Sequence, residues 1–248
     1  MTPPPPLTAL QDLPRQLHSA GFAVLTAQAL ARRCGVDAPA LQRLHSWWGD
    51  LPPDPHLRDG GRYRRRRHGC FVVETGGPVA QTPHRAHWQP VEYNALHGGF
   101  ERWFEPLDPG MAADTGFVGL LQGLAGVATD LRPGVRRWFV EAHPFRIDCT
   151  DGIGRPTPEG AHRDGVDLVA VVLVARHRIR GGETRVFDAR SPQGMRFTLA
   201  EPWSVLLLDD ERVIHETTPI QPVDPADPGW RDTLVITYRQ TGFQGPAT

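Results

Sequence analysis

From Arg137 onward the sequence breaks into short segments rich in Val, Ile, Leu, Phe and Thr, with no helical stretch between them. They run Arg137 to Ile147, His162 to Ala175, Thr184 to Phe187, Met195 to Leu199, Ser204 to Leu208, Val213 to Thr218 and Thr233 to Tyr238. Turn-forming clusters separate them at Asp151-Gly152, Gly181-Gly182, Pro192-Gln193-Gly194, Asp209-Asp210 and 225–229. Consecutive short strands of this kind bury their apolar faces by forming two packed sheets, so the pattern predicts a jelly-roll core.

The first half reads differently. Leu10, Leu13 and Leu17 have helical spacing, with Pro14 near the first turn and Gly21 as the stop. Phe22 to Leu25 reads as a short strand, Thr26 caps a second helix, and Pro39 to Trp48 suggests a third. Asp114 or Thr115 caps a longer helix that ends before Pro133. The expected class is therefore α+β, predominantly β, with flanking N-terminal helices. Residues 1–7 are expected to form a disordered Pro-rich leader, and residues 8–248 a single domain. Within it, 8–135 is the helical and loop part and 136–241 holds most of the jelly-roll core. The stretch from Gly76 to Pro109 carries Trp88, Tyr93, Asn94, His97, Trp103 and Phe104 with little periodicity, as a pocket wall or lid does. Arg62 to Arg67 is the one strong charge run, and a solvated strand or loop face is the expected reading, with specific anion binding the alternative.

At 248 residues the chain can bury a sizeable core, and its net charge of -1 disfavours nucleic acid as a partner. No apolar run approaches a membrane span, and the start has neither a charged nor an apolar signal region, so a cytoplasmic location is expected. Cys34, Cys70 and Cys149 are far apart and form no paired motif. The sequence contains no lysine. That removes phosphate-loop, pyridoxal and kinase chemistry, all of which need one. The triplet His162-Arg163-Asp164 has the order of a kinase catalytic loop, but that loop needs Asn where Val169 stands.

The same triplet carries another possibility. His162 and Asp164 stand two apart at the expected end of a strand, where both side chains point to one side. On spacing alone such a pair is more often a hydrogen-bonded turn than a metal site. His215, in a later strand, supplies a second imidazole, although His177, His143 and His97 compete for that place. Two imidazoles and one carboxylate hold non-haem Fe(II) on one face and leave the other open. Arg231 and Thr233, on one strand face, would form a two-pronged carboxylate receptor; a salt bridge to a nearby aspartate is the alternative.

The motifs, in order, are Phe145-Arg146-Ile147, Pro156-Thr157-Pro158-Glu159-Gly160, His162-Arg163-Asp164-Gly165-Val166-Asp167 and Gly181-Gly182-Glu183-Thr184. Leu207-Leu208-Asp209-Asp210, His215-Glu216-Thr217-Thr218-Pro219-Ile220 and Arg231-Asp232-Thr233-Leu234 follow. In them the chain resembles the Fe(II)/2-oxoglutarate-dependent dioxygenases, specifically the bacterial group containing isoleucine and other free amino-acid hydroxylases. The resemblance covers the C-terminal half well and the regions around Gly21-Phe22 and Tyr93-Asn94 to Pro106 more loosely. It implies a double-stranded β-helix, with His162, Asp164 and His215 as iron ligands and Arg231 pairing with the distal carboxylate of 2-oxoglutarate. It further implies Thr233 as a helper and Arg146 as a cosubstrate or substrate contact. Where the family commonly has His-Gln, this chain has His143-Pro144, so that amide's role is missing. The implied reaction hydroxylates a free L-amino acid or close derivative using O2, with ascorbate an aid in vitro. The presence of Asp164 points to hydroxylation, since related halogenases leave that ligand position open.

Two rivals share the scaffold. One is a metal-dependent cupin-type enzyme that does not use 2-oxoglutarate. The other is a non-catalytic ligand-binding or sensor domain. The identity of the amino acid and the oligomeric state are not set by the sequence.

Overall fold

The computed structural model describes residues 3–246; Met1 and Thr2 of the expected leader lie outside the described residues. A 3-10 turn at Leu10–Asp12 leads into α1 (Leu13–Ala20), which places Pro14 in the first turn where no donor is lost. β1 (Phe22–Leu25) follows, then α2 (Ala27–Cys34), whose first turn is capped by Thr26 Oγ1 accepting from Ala29 N–H. α3 (Ala38–Leu44) starts on an Asp37 cap and continues into a 3-10 turn ending at Trp48. β2 (Arg64–Arg66), β3 (Gly69–Glu74) and β4 (Val79–Gln81) come next. A long irregular stretch then precedes α4 (Pro109–Ala113) and α5 (Thr115–Leu131), the latter capped by Asp114.

The second half is nearly all strand: β5 (Arg137–Asp148), β6 (Leu168–His177), β7 (Ile179–Gly181), β8 (Thr184–Asp188), β9 (Gly194–Phe197), β10 (Val205–Asp209), β11 (Val213–Thr217), β12 (Ile220–Pro222) and β13 (Trp230–Arg239). All pairings between these strands are antiparallel. The main sheet runs β1-β10-β6-β13-β5-β3-β4, with β2 also on β5; the smaller sheets are β11-β8-β9 and β12-β7.

Strand periodicity divides the main sheet into two unlike faces. Trp138, Val140 and Ala142 of β5, with Leu234, Ile236 and Tyr238 of β13, join the helices in the largest hydrophobic cluster. α5 is the hub of that layer, with Phe117, Leu120, Leu121 and Leu124 all fully buried. On the opposite face, Val169 and Leu173 of β6 and Leu206 and Leu208 of β10 pack against Val186, Phe197 and Val213 of the small sheet. β6 and β10 are thus covered on both sides, which accounts for their unbroken apolar runs.

Two expectations need correction. The N-terminal part holds more strand than the expected Phe22–Leu25, because β2, β3 and β4 also belong to the main sheet. β2 carries arginines where a strand usually carries apolar side chains, and β3 and β4 flank the turn at Gly76-Gly77-Pro78, which the expected aperiodic stretch from Gly76 to Pro109 absorbed. Second, Leu7, at the end of the expected leader, bridges Val24 and so belongs to the sheet edge.

α2 and α5 approach closely at Gly123, where an added Cβ would overlap the Cys34 backbone and thiol. A helix glycine replaced by alanine ordinarily gains stability. Here Gly123→Ala should instead lose about 1–3 kcal/mol, the cost of overpacking. Urea denaturation checks this; a more stable variant would contradict the close approach.

Candidate metal centre

Between β5 and β6 the chain forms a long loop, and His162 sits in it as one isolated bridge to His215 of β11. The two residues exchange both backbone hydrogen bonds, at 3.0 and 2.9 Å, which sets their rings 4.6 Å apart. His162 and Asp164 were expected at the end of a strand; the strand itself begins later, at Leu168. The reason lies at Gly165, whose φ of 75° is left-handed and whose Cβ would strike the Tyr93 ring at 2.6 Å.

The loop is held from beneath by Asp210. Its carboxylate accepts the backbone N–H groups of Asp164, Gly165 and Val166 at 2.7–3.1 Å. Asp164 Oδ1 accepts from Gln89 Nε2 at 2.9 Å. His162 Nδ1 donates to Gly160 O at 2.9 Å, which leaves its Nε2 lone pair free. That Nε2 lies 4.0 Å from Asp164 Oδ1, and His215 Nε2 lies 3.8 Å from Asp164 Oδ2. One donor atom from each of the three residues falls within 4.8 Å of the others, a spacing that a single divalent ion can bridge.

Charge points the same way. Burial raises the Asp164 carboxyl and, with the adjacent Asp164 charge, pushes Asp210 up to about 7. Burial pulls His215 well below the usual imidazole range, with His162 adding to the effect. His162 is drawn down by burial, but Glu159 and Asp164 outweigh this and raise it. A cation shared by one carboxylate and two neutral imidazoles relieves the crowding of negative charge.

The triad opens into a cavity of about 120 Å³. Arg231 and Thr233 line it together, as the strand period requires, and both are 3% exposed. Arg231 makes no side-chain hydrogen bond or ion pair among the described residues, and its buried Nε is unsatisfied. Burial, aided by nearby Arg176, pulls this guanidinium down to about 9. A buried arginine in this state calls for an anion. The salt bridge that was the alternative for Arg231 does not form.

Arg146 is a correction. Even-numbered residues at this end of β5 face away from the cavity, and Arg146 is bound to Asp232 through two bonds of 2.8 and 2.7 Å. Its guanidinium also lies over Trp230. It is a structural ion pair, with no donor aimed into the site.

The charge run Arg62 to Arg67 is a solvated face only in part, with Arg62 and Arg65 exposed. Arg64 and Arg66 are 5% and 4% exposed and line the cavity. Arg64 pairs with buried Asp54 at 2.7 Å, whereas Arg66 lies between the Phe104 and Phe145 rings. Reading the run as a strand would have shown alternate arginines turned inward. Gln89, Asn94, His97 and Arg102 line the cavity too, so the aperiodic stretch is a pocket wall as expected. Glu159 completes this set and was singled out only as part of a motif.

His68, His87, Glu141 and His143 form a second group of close potential ligands. His68 Nε2 and His87 Nδ1 donate to one Glu141 oxygen at 2.9 and 2.6 Å. Arg66 can only donate, so His143 Nδ1 accepts from it at 2.5 Å and the ring proton sits on Nε2. The His68 and His143 rings are stacked 4.6 Å apart at 7°, so their lone pairs run parallel and do not converge on an ion. Burial opposes the Glu141 charge, yet the imidazoles around it hold the carboxyl well below the usual range. This group is a hydrogen-bond hub in the cavity wall, where His87 and His143 are part of the lining.

A sequence profile described as 2OG-Fe dioxygenase matches residues 45–237. Among solved structures, a bsmA homolog from Methylobium petroleophilum PM1 is 55% identical and superposes at a TM-score of 0.92, covering 97% of this chain and 97% of that one. IDO from Bacillus thuringiensis superposes at 0.75 with 15% identity, over 94% of this chain and 96% of that one. The Fe(II)/(alpha)ketoglutarate-dependent dioxygenase TqaL does so at 0.68 with 20% identity, over 93% and 87%. At these identities the last two bear on the fold alone. No curated protein matches the chain.

Asp210 does not reach the ion position, but it fixes the loop that carries Asp164. Asp210→Asn should therefore weaken divalent-metal binding about 10- to 100-fold, measured by Mn(II) titration. Unchanged affinity would show that the loop is held without it.

Proposed function

This chain belongs to the 2OG-Fe dioxygenase family, an enzyme family that uses Fe(II) and 2-oxoglutarate, and from that premise we propose that it hydroxylates a C–H bond of a free L-amino acid or close derivative. His162, Asp164 and His215 hold the iron. Arg231 anchors the distal carboxylate of 2-oxoglutarate, with Thr233 beside it. The observation that carries this reading is the buried, unpartnered Arg231 in the cavity of the triad. The arrangement of a main sheet facing smaller sheets is read as a double-stranded β-helix, and residues 8–248 as one oxygenase domain.

When bound, Fe(II) would let O2 act as the oxidant: one oxygen atom would enter 2-oxoglutarate as it loses CO2 to become succinate, and the other would enter the substrate C–H bond as a hydroxyl group. The chain's own residues do the rest. Arg231 neutralises one end of the cosubstrate in a site that water reaches poorly, so its orientation is fixed before reaction. Gly160 O fixes the His162 tautomer, and Gln89 and Asp210 fix Asp164. Three protein donors leave the remaining positions of the metal for ligands other than protein.

The amino-acid substrate rests on the motif resemblance and on the charge of the cavity wall, where Arg66, Arg102 and Glu159 offer counter-ions for a zwitterion. Among the described residues no helix is long and apolar enough to cross a membrane.

Two measurements test the proposal. Incubation with Fe(II), ascorbate, 2-oxoglutarate and a pool of L-amino acids should yield succinate together with an amino acid heavier by one oxygen. Succinate with no hydroxylated amino acid would overturn the substrate class. Arg231→Ala removes a charged hydrogen-bond pair and should raise the KM for 2-oxoglutarate about 10- to 100-fold; an unchanged KM would remove Arg231 from that role.

A further inference from the structure

Glu159 and His97 leave a matched pair of unsatisfied atoms at the cavity wall. Glu159 Oε2 and His97 Nδ1 are both buried and both without a hydrogen-bond partner, and they stand 4.0 Å apart, too far to bond. The backbone N–H of Arg58 donates to His97 Nε2 at 3.4 Å, so the ring proton sits on Nδ1. Burial, with Arg64 next, pulls this imidazole down to about 4, and it is a neutral donor at neutral pH. The pair is thus one donor and one anionic acceptor, side by side.

Arg102 stands on the same wall. It is 2% exposed, its NH2 donates to Gln89 Oε1 at 2.7 Å, and its Nε has no partner. No carboxylate lies within ion-pair distance of it among the described residues; Arg64, by contrast, has Asp54. Gln89 is held in turn by Asn94 at 3.0 Å and bonds Asp164 at 2.9 Å. Arg102 is therefore two hydrogen bonds from an iron ligand, and Glu159 Oε1 lies 3.5 Å from His162 Nε2.

We propose that Glu159, His97 and Arg102 form the subsite that reads both ends of an α-amino acid. Glu159 accepts from its ammonium group, while His97 Nδ1–H and Arg102 donate to its carboxylate. The assignment rests on the amino-acid reading above and gives it named residues. In an α-amino acid the ammonium nitrogen and the nearer carboxylate oxygen lie about 2.7 Å apart by bond geometry. That donor–acceptor pair complements the acceptor and donor presented here. A water molecule satisfies His97 and Glu159 but leaves the Arg102 charge unanswered. An acid lacking the ammonium group answers Arg102 but leaves a buried carboxylate unpaired, which is costly. Only a ligand with both charges, one carbon apart, serves all three residues.

The test is calorimetric titration of amino acids into the protein loaded with Fe(II) and 2-oxoglutarate without oxygen. Wild type is compared with Glu159→Gln and Arg102→Gln, using the 20 common L-amino acids and, for the tightest, the carboxylic acid lacking its ammonium group. Each substitution should weaken the tightest amino acid about 10- to 100-fold while 2-oxoglutarate affinity is retained. Glu159→Gln should also narrow the preference for the amino acid over the acid that lacks the ammonium. Tight wild-type binding indifferent to both substitutions would overturn this assignment alone. Loss of 2-oxoglutarate affinity in step with the amino acid would mark a structural role and overturn it too. Failure of the wild type to bind any amino acid would overturn the substrate class, and the assignment with it.

Discussion

The site depends on β5 and β13 presenting opposite chemistry on their two faces. Because successive side chains alternate, Trp138, Val140, Ala142, Leu234, Ile236 and Tyr238 can all be committed to the helix layer. The intervening His143, Phe145, Arg231 and Thr233 are then free to line a cavity. The apolar face supplies the burial that holds the sheet flat against α5. That anchorage lets the other face keep a charged, poorly paired arginine. Trp48 joins the two strands at this level, its indole N–H donating to Phe145 O at 3.0 Å and Thr233 O at 3.3 Å.

The cavity is a collection of unresolved charges. Arg64 is neutralised by Asp54, but among the described residues Arg102 and Arg231 have no carboxylate within ion-pair distance, and Arg66 stands 3.9 Å from Asp54. On the other side, Asp164 and Asp210 crowd two carboxylates around a loop, and Glu159 keeps an unbonded oxygen. Taken alone, each group would be destabilising. Together they describe ligands: a cation between His162, Asp164 and His215, an anion at Arg231, and opposite charges along the wall. With every basic side chain an arginine, each anion position offers a planar fork suited to carboxylates.

Much of this was legible in the sequence where one rule dominated. The longer strands from β5 onward, α1, α5 and their caps were readable because period and turn chemistry agree there, whereas the three-residue strands β7 and β12 are too short to show a period. The triad and Arg231 were readable because His-x-Asp, a later strand histidine and an arginine two before Thr233 form an ordered pattern. Other features lay beyond local pattern. The register that joins His162 to His215 is set by long-range pairing. Arg146 and Arg231 look alike in sequence, and only the face each takes separates the ion pair with Asp232 from the free guanidinium. The run Arg64 to Arg66 carries charge where a strand usually carries apolar side chains, so composition left strand and loop equally open and concealed the inward face.

The central claim is that the triad and Arg231 bind Fe(II) and 2-oxoglutarate in one cavity. An anaerobic visible spectrum of the protein with both added tests it most directly, since chelation of the metal by the keto acid gives a weak charge-transfer band. The account predicts that band in the wild type and its loss in folded His215→Ala. Its absence from folded wild-type protein, or its persistence unchanged in the variant, would contradict the account.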